Sequence, residues 1–305
     1  MKIKEVKSHI IQYDLEEELG YSQQYYQKRT GHLVEVVTDE GITGWGECFG
    51  PGNVAIANKV IVERVIQPMI LGENPLNRDV LWHKVYNLLR DHGQKGMPIQ
   101  ALSGVDIALW DILGKVTGLS ISRLIGGRFR EQVPVYGYGM MLRREKLPAL
   151  MDRFEDEAAA IKSSGFVATK MKVGLGPKQD VQLAESVRRG VGGDFPFMVD
   201  ANHCYTVDQA LYVGRALEEL DAYWFEEPVA PEDLDGYREL RSQLTINIAG
   251  GEAEFTRWGW RNLLEKHCLD IAQPEVCALG GISEYLRVLG LAQAHFTQVI
   301  NHVCG

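Results

Sequence analysis

The segment Phe197-Met198-Val199-Asp200-Ala201-Asn202 is a short apolar run that closes on polar residues, with amphipathic stretches at residues 181–189 before it and 210–220 after it. Similar apolar runs stand at residues 134–141, 167–173, 223–225, 246–249, 269–273 and 298–301. Seven strands separated by helical crossovers imply a parallel sheet with right-handed connections. Six of the runs end in a polar residue, namely Lys172, Asp200, Glu226, Glu252, Glu275 and His302, at spacings of 28, 26, 26, 23 and 27. One strand, helix and pair of loops in a (β/α)8 barrel take roughly 30 residues, and the C-terminal rim of the strands carries the active site. Taken singly, an acidic residue ending a strand serves as well for a helix cap or a solvated loop. Six at matching positions point to one shared cavity mouth.

Working outward, residues 1–12, 32–38 and 43–47 read as strands of an antiparallel sheet, with a turn at Asp39-Glu40-Gly41. The polar stretch 14–31 between the first two carries Tyr21, Gln23, Gln24, Tyr25 and Tyr26 and reads as a loop, either a lid or a disordered connection. From residue 53 to 118 the period is helical, and Gly126-Gly127 then punctuates the chain. The fold class expected is α/β: an α+β capping domain over residues 1–125, then a modified (β/α) TIM-type barrel over residues 126–305.

The 305 residues, 45% hydrophobic and 24% charged, are those of a globular protein able to bury a large core. A net charge of −9 argues against a nucleic-acid or anionic-membrane surface and leaves a small solute as the expected partner. Neither a signal peptide nor an apolar run approaching the ~18 residues of a membrane span occurs, so a cytoplasmic location is expected. The five cysteines, Cys48, Cys204, Cys268, Cys277 and Cys304, are odd in number and lack C-x-x-C spacing, which indicates neither a disulfide framework nor a zinc ribbon. No dinucleotide-binding or P-loop glycine motif is present.

The residue types at the strand ends define the expected chemistry. Asp200, Glu226 and Glu252 are hard oxygen ligands from adjacent strands with no His or Cys among them, which favours Mg2+ over zinc. Alternation along the strand sends Glu227 to the other face, so Glu226 is the expected ligand. Asn202 shares the face of Asp200, where it either donates to ligand or substrate or caps a helix. In Thr169-Lys170-Met171-Lys172-Val173 the two lysines share one face and must meet carboxylates or an anionic substrate. A second cation beside Lys172 is expected to lower its pKa and make a neutral amine accessible as a base. His302, oriented by Glu275, reads as a second acid/base.

These residues resemble the enolase superfamily, mandelate racemase / muconate lactonizing subgroup, in Thr169-Lys170-Met171-Lys172, Val199-Asp200-Ala201-Asn202, Phe225-Glu226-Glu227-Pro228, Gly250-Gly251-Glu252, Gln273-Pro274-Glu275 and Asn301-His302, over essentially the whole chain. The segments 87–96 and 101–111, followed by Ile125-Gly126-Gly127, are most similar to galactarolactone cycloisomerases and acid-sugar dehydratases. The resemblance implies Mg2+ on Asp200, Glu226 and Glu252, bases at Lys172 and His302, and Lys170 polarising a substrate carboxylate. It also implies a specificity loop over residues 14–31, with Tyr25 toward the substrate, and a homo-oligomer, dimer or octamer. Two departures stand out: Glu275 replaces the family's usual Asp in the dyad, and the chain stops three residues after His302. The 172 residues from Pro134 onward fall short of the ~250 of a full barrel, so the eighth strand and C-terminal tail are expected to be missing and the sequence incomplete.

The activity implied is removal of the proton α to a carboxylate of an acid sugar or its lactone, followed by β-elimination to a 2-keto-3-deoxy acid. A racemase or epimerase using the same two bases is the first alternative. A non-catalytic ligand-binding or assembly protein is the second, should the chain truly end at residue 305.

Overall fold

The computed structural model describes residues 1–303. The chain begins with an antiparallel sheet of β1 (Ile3–Tyr21), β2 (Gln24–Thr38) and β3 (Thr43–Cys48), in that order across the sheet. After it come α1 (Val54–Val60), a π-helical turn (Ile61–Ile66), α2 (Gln67–Ile70), α3 (Arg78–Leu89), α4 (Met97–Thr117) and α5 (Ile121–Leu124). The long helix α4 starts with Pro98 in its first turn and stops at Gly118 in the left-handed conformation, the asymmetry expected of helix ends. It lies directly on β3. A side chain at Gly46 would collide with the backbone of Gly104 and Ala108, and this close approach lets Val34, Val36, Val105 and Ile112 share one dry core.

The stretch 14–31, expected as a loop, is instead the outer length of a β1–β2 hairpin. Pairing runs from Ile3↔Thr38 to Asp14↔Lys28, breaks at a register shift, and resumes from Leu19↔Tyr26 to Tyr21↔Gln24. This part is polar because much of it is solvated, so the apolar alternation that marks a half-buried strand is missing. Its tip reaches across to the second half of the chain, where Gly20 and Leu142 exchange backbone hydrogen bonds of 2.8 and 2.9 Å.

That half alternates β4 (Gly137–Tyr138), α6 (Leu147–Ser163), β5 (Thr169–Lys172), α7 (Pro177–Val191), β6 (Phe197–Asp200), α8 (Val207–Glu219), β7 (Trp224–Glu226), α9 (Leu234–Gln243), β8 (Asn247–Gly250), α10 (Thr256–Glu265), β9 (Ile271–Ala272), α11 (Gly281–Ala294) and β10 (Gln298–Val299). The seven strands form one parallel sheet in sequence order, curled into a half-barrel with β4 and β10 at its edges. Period-two alternation divides the faces. Met171, Val199, Phe225 and Ile248 face the helices in the larger core, whereas Met198, Trp224, Ala249 and Ile271 fill the concave side with Tyr136 and Ile300. Lys172 pairs in register with Asp200, and Asp200 with Glu226, so three strand-end residues stand in one lateral row. No helix among the described residues is long and apolar enough to cross a membrane.

Candidate active site

Above the apolar plug of the half-barrel, the row of strand ends becomes a buried charge cluster. One carboxylate oxygen from each of Asp200, Glu226 and Glu252 lies within 4.8 Å of the others. Lys170 Nζ donates to Glu226 Oε1 at 2.7 Å and lies 3.4 Å from Asp200 Oδ2. Lys172 Nζ donates to Asp200 Oδ2 and, at 2.7 Å, to Asn202 Oδ1. The other Asp200 oxygen accepts the Asn202 backbone N–H at 3.0 Å. Asn202 thus sits inside the cluster, its backbone in the left-handed region at φ 42.

At the far end of the triad, His302 lies between two carboxylates. Its Nε2 lies 3.0 Å from Glu252 Oε2 and its Nδ1 2.8 Å from Glu275 Oε2, so the longer glutamate arm does reach the imidazole. Glu275 is itself held by the backbone N–H of Cys277 at 2.9 Å, and the ring of Phe49, from the first half of the chain, meets His302 edge-on at 6.3 Å.

The electrostatics follow from burial set against opposite charge. Burial works to neutralise Asp200, yet Lys172 and Lys170 outweigh it and hold the carboxyl well below its usual range. Burial likewise works to discharge Lys172, but Asp200 prevails and its pKa is raised, not lowered. The expectation of a depressed lysine therefore fails here, because the carboxylate in contact attracts more strongly than the second lysine repels. Lys170 is raised for the same reason, chiefly by Glu226 and Asp200 opposing its burial. His302 is raised as well: burial lowers it, while the bond to Glu275 and the charge of Glu252 more than compensate. Glu252 is pushed up, first by burial.

Several rim residues were not legible in the sequence. Tyr25, expected in the substrate pocket, lies under Arg144 at 4.2 Å and packs on the outer core. Its register partner is Gly20, whereas Tyr21 pairs with Gln24, so the two tyrosines point to opposite faces of the hairpin. Tyr21 is the one facing the cluster, with Lys172 Nζ 5.9 Å from its ring. Tyr138 stands 5.7 Å from both lysines, and Tyr136 5.9 Å from Lys170. Trp224, on the concave face two residues before Glu226, donates its indole N–H to Glu226 Oε2 at 2.9 Å. Glu227 is buried with no hydrogen-bond partner for either oxygen, and burial together with Glu252, Asp200 and Glu226 drives it strongly toward the neutral acid. Alternation along β7 was the signal for Trp224; nothing local marked Tyr21 over Tyr25.

An oxygen-only donor set, with Asp200 and Glu226 buried and Glu252 half-buried, fits a hard divalent cation such as Mg2+. With a cap sheet and a parallel half-barrel, the molecule has the architecture of the enolase-superfamily enzymes. Residues 17–126 match the mandelate racemase / muconate lactonizing enzyme N-terminal domain, and residues 153–305 match the enolase C-terminal domain-like family. The chain belongs to the mandelate racemase / muconate lactonizing enzyme family. It is 39% identical to a D-galactarolactone cycloisomerase of Agrobacterium fabrum, covering 100% of this chain and 79% of the relative. It is 35% identical to an arabinonate dehydratase of Saccharolobus solfataricus, over 88% and 71% of the two chains. Among solved structures it superposes on a racemase from Streptomyces coelicolor A3(2) with bound magnesium at a TM-score of 0.92, with 30% identity and 99% and 84% coverage.

Proposed function

We propose that this enzyme abstracts the proton α to the carboxylate of an acid sugar or its lactone and eliminates the β-oxygen, yielding a 2-keto-3-deoxy acid. The observation that carries the reading is the placement of two proton-transfer groups at opposite ends of one carboxylate triad, Lys172 against Asp200 and His302 against Glu252. Residues 1–125 serve as the cap and residues 126–305 as the barrel, with Asp200, Glu226 and Glu252 as the metal ligands. A Mg2+ ion held there would supply Lewis-acid stabilisation of the charge that develops on the substrate carboxylate, and its charge would offset the hold of Asp200 on the Lys172 proton.

The chain's own groups do the rest. Lys170 presents its ammonium to the carboxylate, and Asn202 fixes the Lys172 amine through its side-chain oxygen. Lys172, as the neutral amine, takes the α-proton, and the C–H electron pair moves into the carboxylate system. His302, oriented through Nδ1 by Glu275, gives its proton to the departing β-oxygen as the C–O bond breaks. The resulting enol then tautomerises to the keto acid. The relatives named above, a cycloisomerase and a dehydratase of sugar-derived acids, support that substrate class.

The test is to incubate the protein with Mg2+ and a panel of acid sugars and lactones and follow keto-acid formation. Formation of a keto acid from at least one supports elimination. The same placement of two bases also suits 1,1-proton transfer. In D2O, deuterium at the α-carbon of an otherwise intact substrate, with no keto acid, assigns the protein to epimerisation instead.

A further inference from the structure

Outside the charge cluster, Asp180 in the first turn of α7 is completely buried and accepts four hydrogen bonds. Its Oδ1 takes the backbone N–H groups of Gly174 and Leu175, each at 2.9 Å. Its Oδ2 takes the N–H of Gly176 at 3.0 Å and the hydroxyl of Tyr205 at 2.7 Å. Gly174 at φ 141 and Gly176 at φ 121 adopt backbone that other residues rarely enter, which turns successive amides toward one carboxylate.

The partners matter because of where they lie. Residues 174–176 form the loop that leaves β5 just after Lys172, and Tyr205 belongs to the loop that leaves β6 just after Asp200 and Asn202. One carboxylate therefore ties together the two loops that follow the lysine strand and the aspartate strand. The tip of the β1–β2 hairpin rests on both. A side chain on Gly174 would collide with Ser22, so the tip packs directly on that loop. Ser22 Oγ donates to the backbone carbonyls of Ala201 at 2.8 Å and Asn202 at 3.1 Å, and Gln23 Nε2 donates to Asn202 O at 2.9 Å. This seating brings Tyr21 over Lys172.

We propose that Asp180 is a positioning residue: through the amides of residues 174–176 and the Tyr205 hydroxyl it builds the two-loop seat that holds the hairpin tip over the cluster. It touches no reacting atom. Its effect passes through Gly174 to Ser22 and through Tyr205 to the Ala201 and Asn202 carbonyls. The proposal does not depend on the reaction assigned above, since it concerns closure of the tip.

Hydrogen exchange of the full chain tests it without any turnover assay. The reporters are the amides of Gly20 and Leu142, which bond each other's carbonyls where the tip meets the half-barrel. Tyr205→Phe, which cuts the tie between the loops, is expected to speed exchange at Gly20 and Leu142 about tenfold, the loss of one strong hydrogen bond. Exchange in β5 and β6 should stay at its original rate. Ser22→Ala should speed the same two amides, and the double variant should go little further, because both changes release one contact. Asp180→Asn should exceed Tyr205→Phe; if Asp180→Asn does not fold, Tyr205→Phe decides alone. Unchanged exchange at Gly20 and Leu142 in Tyr205→Phe, or equal acceleration throughout β5 and β6, overturns the proposal.

Discussion

Lys170 and Lys172 at the strand ends are 4% and 6% exposed and face carboxylates that are wholly buried, whereas Glu18 on the hairpin pairs at 2.7 Å with Arg144, between β4 and α6, with side chains 38% and 67% exposed. The hydrogen-bond geometries are alike, but the dielectric surroundings are not. Water screens the hairpin pair and competes for both partners, so its net worth is small. At the strand ends water is largely absent, and each charge persists only because another opposes it. Removing one partner there strands the other. The cap core offers a third situation in His32, which is buried with neither ring nitrogen hydrogen-bonded and so stays neutral.

The largest effect is expected where charge and chemistry coincide. Lys172→Ala and His302→Asn should each lower turnover by about 10²–10⁴-fold, the usual range for losing a general acid or base. Calorimetry should show Mg2+ binding retained in both. Full turnover in both variants would erase the distinction between the strand ends and the rest of the surface.

His32 sharpens the contrast by being uncompensated. Burial, assisted by Lys59, lowers its pKa from 6.5 to about 4. A depressed histidine contributes stability that is complete above pH 6.5 and is lost as pH falls toward 4, because the unfolded chain takes the proton first. The loss should approach roughly 3 kcal/mol. Denaturant midpoints of the wild type and His32→Leu at pH 7 and pH 4.5 check this: the variant should lose less stability on acidification. Equal losses would mean that the ring finds a partner.

Next in size is Trp224→Phe, which removes the indole donor from Glu226 while keeping a ring in the concave core. Groups that orient metal ligands are commonly worth about 10–100-fold in affinity, and Mg2+ titration calorimetry should register a loss of that order. An unchanged affinity would show that the strand register alone fixes Glu226. The smallest change belongs to the hairpin pair: Glu18→Gln should shift the unfolding free energy by less than about 1 kcal/mol, and raised salt should abolish the difference. A larger, salt-resistant loss would place this pair with the buried ones.

Much of this was legible in the sequence because the controlling periods are local. Six polar residues at the ends of apolar runs announced a parallel sheet with one loaded edge, and alternation picked Glu226 over Glu227 for the face of Asp200. The polar stretch 14–31 misled because strand signals come from one-sided burial, and much of this hairpin lies in water. The register shift between Asp14 and Leu19 decides which tyrosine faces inward, and a one-residue slip at the tip would put Tyr21 and Tyr25 on the same face.

The sequence by itself determined the strand ends and the residue types gathered there, since side chains two apart share a face whatever surrounds them. Tertiary structure decided the state of those residues. The Lys172 pKa is raised because Asp200 is brought into contact from the neighbouring strand, and an attraction at contact distance outweighs burial and a second cation whose presence the sequence announced. It also decided where the hairpin tip sits, because the carbonyls that hold Ser22 lie about 180 residues away along the chain, farther than any local pattern extends.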